Sequence, residues 1–289
     1  NYSVSNARMG AGNDHVGMAN SNGLNGNPVS PADTLYLEAG DDLVIIHAAD
    51  LAIDDVIDGG SGSDYISFTG RSWSADYGGT SSAVTYTINQ GVTANFENIM
   101  GSALNDTLTG DGNANRIHGS TGNDTIYGKG GNDVLYGDVT ASGTGEADSV
   151  DLGNGSSTRD IGGGDDTGAD GIYGGAGNDT LYGAGGDDTL DGGTGTDTLS
   201  GGAGADTFII RTGDGSSTLA DADVITDFSD GTDVIGMDGL TFDDLTIAQG
   251  SGSYSSHALV SKTSSSEYLL IIQSTTASNI TAADFSSTS

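Results

Sequence analysis

Four aspartates, Asp179, Asp188, Asp197 and Asp206, stand nine residues apart in a stretch that reads GGAGNDTLY, GAGGDDTLD, GGTGTDTLS, GGAGAD. Each follows a glycine-rich turn and precedes, by two places, a large apolar residue: Leu181, Leu190, Leu199 and Phe208. Carboxylates at this spacing, beside glycines that let carbonyl oxygens converge, are suited to holding a hard cation. Ca²⁺ takes about six to eight oxygens at roughly 2.3 to 2.6 Å, and a carbonyl-rich loop plus one carboxylate supplies them. The period of these carboxylates is that of turns, which favours metal ligation over general acid/base work. The glycines expected to shape the turns are Gly175, Gly177, Gly186, Gly193, Gly195, Gly202 and Gly204, since three glycines in six residues permit backbone angles closed to other residues.

The elements that position these groups follow from the period. A nine-residue unit with one apolar position cannot be an amphipathic helix, which needs apolar residues at i, i+3, i+4 and i+7. The triplets T-L-Y and T-L-D read instead as short strands, the leucine inward and its neighbours outward. Two strands and two turns complete a coil of roughly 18 residues. Asp179 is therefore expected opposite Asp197 and Asp188 opposite Asp206, with each ion shared between turns two repeats apart.

The same unit recurs upstream. Residues 101–137 place Asp106, Asn115, Asp124 and Asp133 nine apart, with Leu108, Ile117, Ile126 and Leu135 inward and Gly122 and Gly131 in the turns. Asn115 breaks the carboxylate series, so an ion between Asn115 and Asp133 is expected to bind weakly or be absent. Residues 1–70 carry degenerate copies: Asp14 with Val16, Asp33 and Asp42 with Leu35 and Val44, and Asp55 and Asp64, with a loop over Asn20 to Pro31. Residues 71–100 lose the repeat and alternate instead, Val84, Tyr86 and Ile88 against Thr85 and Thr87, as a connecting strand or hairpin would. Residues 138–164 are a polar insertion, read as a solvated loop or a partner-contacting one. Asp170 opens a second block over 165–210. Residues 211–289 read as a cap, whose Phe228, Ile235, Leu240, Phe242 and Ile247 join Phe208 and Ile210 in covering the last coil.

Composition sharpens this reading. The chain has 50 glycines among 289 residues, 34% apolar residues and 41 acidic against 7 basic side chains, a formal charge of -34. Such a chain lacks the apolar material for an ordinary core and reads as disordered until its charge is neutralised. A polyanion offers no basic footprint for nucleic acid. With no cysteine there is neither disulfide nor thiolate chemistry, which fits a secreted bacterial chain that stays unfolded in transit. The longest apolar runs are strand-sized, so no transmembrane segment is expected, and no cleavable signal peptide is visible before Asn1; the chain is expected to be a piece of something longer.

The tandem repeats Gly101 to Tyr136 and Gly162 to Phe208, with the terminal GADTFII, DVITDFSDGTDVIGMDGL and ITAADF, resemble the C-terminal part of RTX (repeats-in-toxin) proteins. The resemblance implies an all-β fold, a right-handed parallel β-roll in two or more blocks with a C-terminal β cap, holding several Ca²⁺ ions. It implies folding triggered outside the cell, export by type I secretion machinery, and a place in the extracellular space or on the bacterial surface.

No catalytic motif accompanies the repeats. His15, His47, His118 and His257 are too scattered for a zinc pair, and there is no G-x-S-x-G elbow. His118 falls in an outward strand slot with Tyr127, Tyr136, Tyr173 and Tyr182 and is expected at the surface. The tyrosines are expected to stack across strands, or else to form a lateral contact for a neighbouring copy or a carbohydrate. The expectation is a non-enzymatic calcium-binding β-roll that self-associates in a surface layer, filament or adhesin. The rival is the export and folding tail of a secreted hydrolase.

Overall fold

The computed structural model describes residues 7–17, 34–46, 56–68, 83–91, 93–138, 149–150, 159–160 and 168–288. The loop expected over 20–31, Asp33, Asp55 and most of the 138–164 insertion lie outside these residues.

Nearly every described element is a short strand, and the strands stack in parallel on two sides of one core. On one side β7 (Thr85–Thr87), β10 (Thr107–Thr109), β12 (Thr125–Gly130), β16 (Gly171–Ala176), β18 (Thr189–Thr194), β20 (Thr207–Arg211), β22 (Val234–Asp238) and β26 (Phe285–Ser287) form an eight-stranded sheet. On the other, β2 (His15–Gly17), β4 (Leu43–Ile45), β6 (Tyr65–Ser67), β9 (Asn98–Met100), β11 (Arg116–Ser120), β13 (Val134–Asp138), β17 (Thr180–Gly185), β19 (Thr198–Ala203) and β21 (Asp223–Ile225) run in order. That second sheet continues through the cap strands β25 (Tyr268–Ile272), β24 (Ala258–Lys262) and β23 (Leu245–Gln249). A four-stranded sheet of β1 (Ala7–Arg8), β3 (Thr34–Tyr36), β5 (Val56–Asp58) and β8 (Thr93–Ala94) serves the first coils. This is an all-β parallel β-roll.

The register is that of the apolar residues. Leu108, Ile126, Ile172, Leu190 and Phe208 align across one sheet, and Ile99, Ile117, Leu135, Leu181 and Leu199 across the other, each at most 2% exposed. A period-two pleat inside each half-coil sends this one side chain inward and its two neighbours out. In the regular repeats the strands run six residues, past the expected triplet into the following glycines, because Ala184 and Gly185 also pair with Gly202 and Ala203 one coil on. In the segment read as a connecting strand or hairpin, Val84, Tyr86 and Ile88 are buried and β7 pairs in parallel with β10, inside the roll.

The C-terminal residues close the core. Phe208 packs on Phe228 and Phe242 on Phe285, while Ile210, Ile235 and Leu240 are buried and Ile247 packs partly buried against them. Antiparallel pairing of β23, β24 and β25 ends the parallel stack and replaces the next coil.

Candidate metal centres

Each half-coil delivers its acidic residue at the turn just before the strand, and stacking collects these residues into two columns. One column runs Asp106, Asp124, Asp170, Asp188, Asp206, Asp233; the other runs Asp14, Asp42, Asp64, Glu97, Asn115, Asp133, Asp179, Asp197, Asp223. The expected pairs Asp179 with Asp197 and Asp188 with Asp206 are neighbours in these columns. The insertion leaves the columns intact, since Asp170 and Asp179 receive bonds from Asp124 and Asp133 across 46 residues where the other pairs of the regular repeats span 18.

The rungs share one geometry. The main-chain N–H of Asp179 donates to Oδ1 of Asp197 at 2.8 Å, and that of Asp188 to Oδ1 of Asp206 at 3.0 Å. Oδ2 of Asp14, Asp64, Asp133, Asp179, Asp188, Asp197 and Asp206 is buried with no hydrogen-bond partner. Burial without a compensating bond disfavours the charged form and pushes Asp64, Asp133, Asp188 and Asp197 up to about 7 and Asp206 up to about 6.

The unpartnered oxygens point into cradles made by glycine. A Cβ added at Gly183 would meet Asp188 Oδ2 and, at 2.6 Å, the carbonyl of Gly201. Gly128, Gly174, Gly192 and Gly201 stand in the same relation to Asp133, Asp179, Asp197 and Asp206. The nine glycines expected in the turns (Gly122, Gly131, Gly175, Gly177, Gly186, Gly193, Gly195, Gly202 and Gly204) all have positive φ. They bend the turn, while the glycine five places before the aspartate leaves the room; sequence reasoning missed that second set. Carboxylate oxygen and backbone carbonyls together make an all-oxygen donor set, the kind that fits a hard cation. Among the described residues no three acidic or histidine side chains converge, so each cradle is one carboxylate plus backbone.

Some rungs depart from the rule. Asn115 is fully bonded by protein: its Oδ1 accepts from the Asp111 N–H at 2.8 Å and its Nδ2 donates to the Glu97 carbonyl at 3.1 Å. Asp111 in turn accepts from Asn89 and Asn113, and those bonds hold its carboxyl below the usual range despite partial burial. Asp106 has both oxygens taken, by Ser102 N–H and Oγ and by Val84 N–H. Glu97, Asp223 and Asp233 were not anticipated as column members. Their signal was present nonetheless, an acidic residue two places before an inward Ile99, Ile225 or Ile235 without the glycine turn.

His118 corrects its expected surface position. It is 3% exposed and stacked on Tyr136 at 4.5 Å, and desolvation lowers its pKa to about 3. Outward pointing therefore does not mean exposed on that face of β11. Of the four tyrosines, Tyr127 and Tyr182 are exposed and Tyr136 is buried; the rings stack as Tyr127 on Tyr173 and Tyr136 on Tyr182.

A parallel roll with buried, half-bonded carboxylates over glycine cradles is a calcium-binding β-roll. The family model of the RTX calcium-binding nonapeptide repeat matches residues 54–69, 94–118, 100–135, 166–199, 173–208 and 182–219, so the chain carries RTX repeats and with them several calcium sites. A similar solved structure is the solution structure of the AlgE6R3 subunit from the Azotobacter vinelandii mannuronan C5-epimerase, 28% identical over 41% of this chain and 72% of that one, with a TM-score of 0.32. No curated protein matches the chain.

Proposed function

We propose that this chain is a secreted, non-enzymatic module that calcium folds outside the cell and that contributes to a bacterial surface assembly. The observation that carries the calcium switch is the row of buried carboxylate oxygens without partners at Asp133, Asp179, Asp188, Asp197 and Asp206. An uncompensated buried charge is strongly destabilising, whereas a bound cation turns it into a ligand. In this reading Asp14, Asp42, Asp64, Asp124, Asp133, Asp170, Asp179, Asp188, Asp197 and Asp206 hold the ions with carbonyls of the adjoining turns. The calcium supplies charge neutralisation and a fixed point of coordination, and the chain supplies the spacing. Asp106, already bonded to Ser102 and Val84, ends its column.

Export as an unfolded chain is supported by the formal charge of -34 and the absence of cysteine. The assembly reading is supported by the exposed Tyr127 and Tyr182 on a chain of formal charge -34 and by the lack of any catalytic motif. Electron microscopy at millimolar Ca²⁺ is the test. Lattices or filaments that dissolve in EGTA are expected; a monodisperse monomer at high concentration would move the assignment to the export tail of a larger secreted protein.

A further inference from the structure

The turns carry a second ladder, on the outside of the roll, made by the residue immediately before the column aspartate. The Oδ1 of Asn105 accepts the N–H of Asn123 (3.2 Å), that of Asn132 the N–H of Asn178 (3.1 Å), that of Asn178 the N–H of Thr196 (3.1 Å) and that of Asp187 the N–H of Ala205 (2.8 Å). The same bond recurs in the first block at Asn13 and Asp41. Its direction is opposite to that of the inner ladder. An inner Oδ1 reaches back to the preceding coil, whereas an outer Oδ1 receives from the following one.

At the dipeptide Asn178-Asp179 the two ladders meet. Both N–H groups and both Oδ1 atoms are bonded, to Asn132 and Asp133 on one side and to Thr196 and Asp197 on the other. Four bonds thus clamp one turn to both of its neighbours. Asn105, Asn123, Asn132, Asn178 and Asp187 are exposed, and each alone would pass for a solvated turn residue. The carboxylate of Asp187 makes the bond as the amide of Asn178 does, so what the position needs is an acceptor oxygen and not an amide donor.

We propose that an Asn or Asp immediately before a ligand aspartate, as at Asn132, Asn178 and Asp187, is a positioning residue for calcium. It sets the separation and register of successive turns, so that the oxygens of two turns face one point, and it passes order from one coil to the next. The inference rests on the ligand assignment above. Outer-shell groups that orient metal ligands are typically worth roughly 10- to 100-fold in affinity; here the bond is exposed and one of several, so a smaller effect is expected.

The test is a Ca²⁺ titration of the full chain, followed by far-UV circular dichroism, with bound calcium counted at saturation. Asn132→Ala with Asn178→Ala should raise the midpoint by roughly three- to tenfold, about 0.7 to 1.4 kcal/mol, and flatten the transition. The number of ions at saturation should not change. Asn178→Asp should stay within about twofold of the parent, and Thr194→Ala, exposed on the same row of turns, is the neutral control. Equal shifts for Asn178→Ala and Asn178→Asp, no shift for the double variant, or failure of both Ala and Asp variants to fold at any calcium level would overturn it. Loss of an ion at saturation would also overturn it, since the residue would then be a ligand. A parent chain that takes up no calcium would remove the ligand assignment itself, a separate result.

Discussion

Asp197 receives the main-chain N–H of Asp179 on Oδ1 at 2.8 Å and keeps Oδ2 buried without a hydrogen bond. One oxygen of the carboxylate thus builds the stack and the other is left for a cation. Because the same division recurs along both columns, binding and folding are one process: the cradle exists only when two coils are in register, and the coils tolerate their buried charge only with the ion present.

Chelation is therefore expected to unfold the chain. In excess EGTA far-UV circular dichroism should show coil, and β signal should return cooperatively with Ca²⁺ at about 10⁻⁴ to 10⁻³ M, the range of extracellular modules. Mg²⁺ should not substitute, because it demands a tight octahedron. A β spectrum indifferent to EGTA would refute the coupling.

The rungs should be unequal. Asp197→Ala removes a charged ligand, worth about 1.5 to 3 kcal/mol or roughly 10- to 100-fold in affinity at its site. Asn115→Ala removes only protein–protein bonds and should leave the count of bound ions unchanged while costing about 1 kcal/mol. Counting bound Ca²⁺ in the two variants separates them. Equal loss of ions in both would mean that Asn115 is also a ligand.

Room in the cradle should matter as much as charge. Gly183→Ala puts a methyl against Asp188 Oδ2 and the Gly201 carbonyl, so the variant should lose at least one ion and unfold at a lower temperature in Ca²⁺. Gly112→Ala, where a Cβ meets nothing within 4 Å, is the matched control. Equal melting temperatures would show that the cradle is not where the ion sits.

Acid should act in two opposite ways. Burial raises Asp64, Asp133, Asp188 and Asp197 to about 7 from an ordinary 3.8, so the ion-free fold keeps protons that the unfolded chain has lost. Ion-free stability is then fully present below pH 4 and is lost as pH rises through 7. In EGTA, β signal should grow on acidification towards pH 4. With calcium present, the ion-free coil and the calcium-bound fold are both ionised from pH 8 to 6, so the calcium midpoint should hold there and rise only towards pH 4, where protons compete for the coil's carboxylates. A midpoint that already rises between pH 8 and 6 would mean that a protonated ion-free fold, and not the coil, is the state that binds calcium.

Away from the ions, Arg211 forks onto the buried Asp191 through Nη1 at 2.7 Å and Nη2 on the outer face of the eight-stranded sheet. Arg211→Ala should strand that carboxylate and cost about 1 to 3 kcal/mol in calcium-saturated stability, discounted because the guanidinium is partly exposed. Arg211→Ala with Asp191→Ala should recover much of the loss. No recovery in thermal melts would mean that the cost lies in lost packing of the arginine.

The period of the sequence determined most of the roll. Nine-residue spacing of Asp179, Asp188, Asp197 and Asp206, with an apolar residue two places on, dictates strand, turn and an 18-residue coil, because only alternating half-coils bury every apolar side chain. The cation was legible from the same spacing of carboxylates, and the break in the series at Asn115 was visible as a change of residue type. Tertiary structure decided what period cannot carry. Glu97, Asp223 and Asp233 join the columns through stacking, without the glycine turn, and the outward His118 ends up buried. The two oxygens of one carboxylate are identical in the sequence. Only the neighbouring coil, offering an N–H to one and a glycine cradle to the other, makes them different.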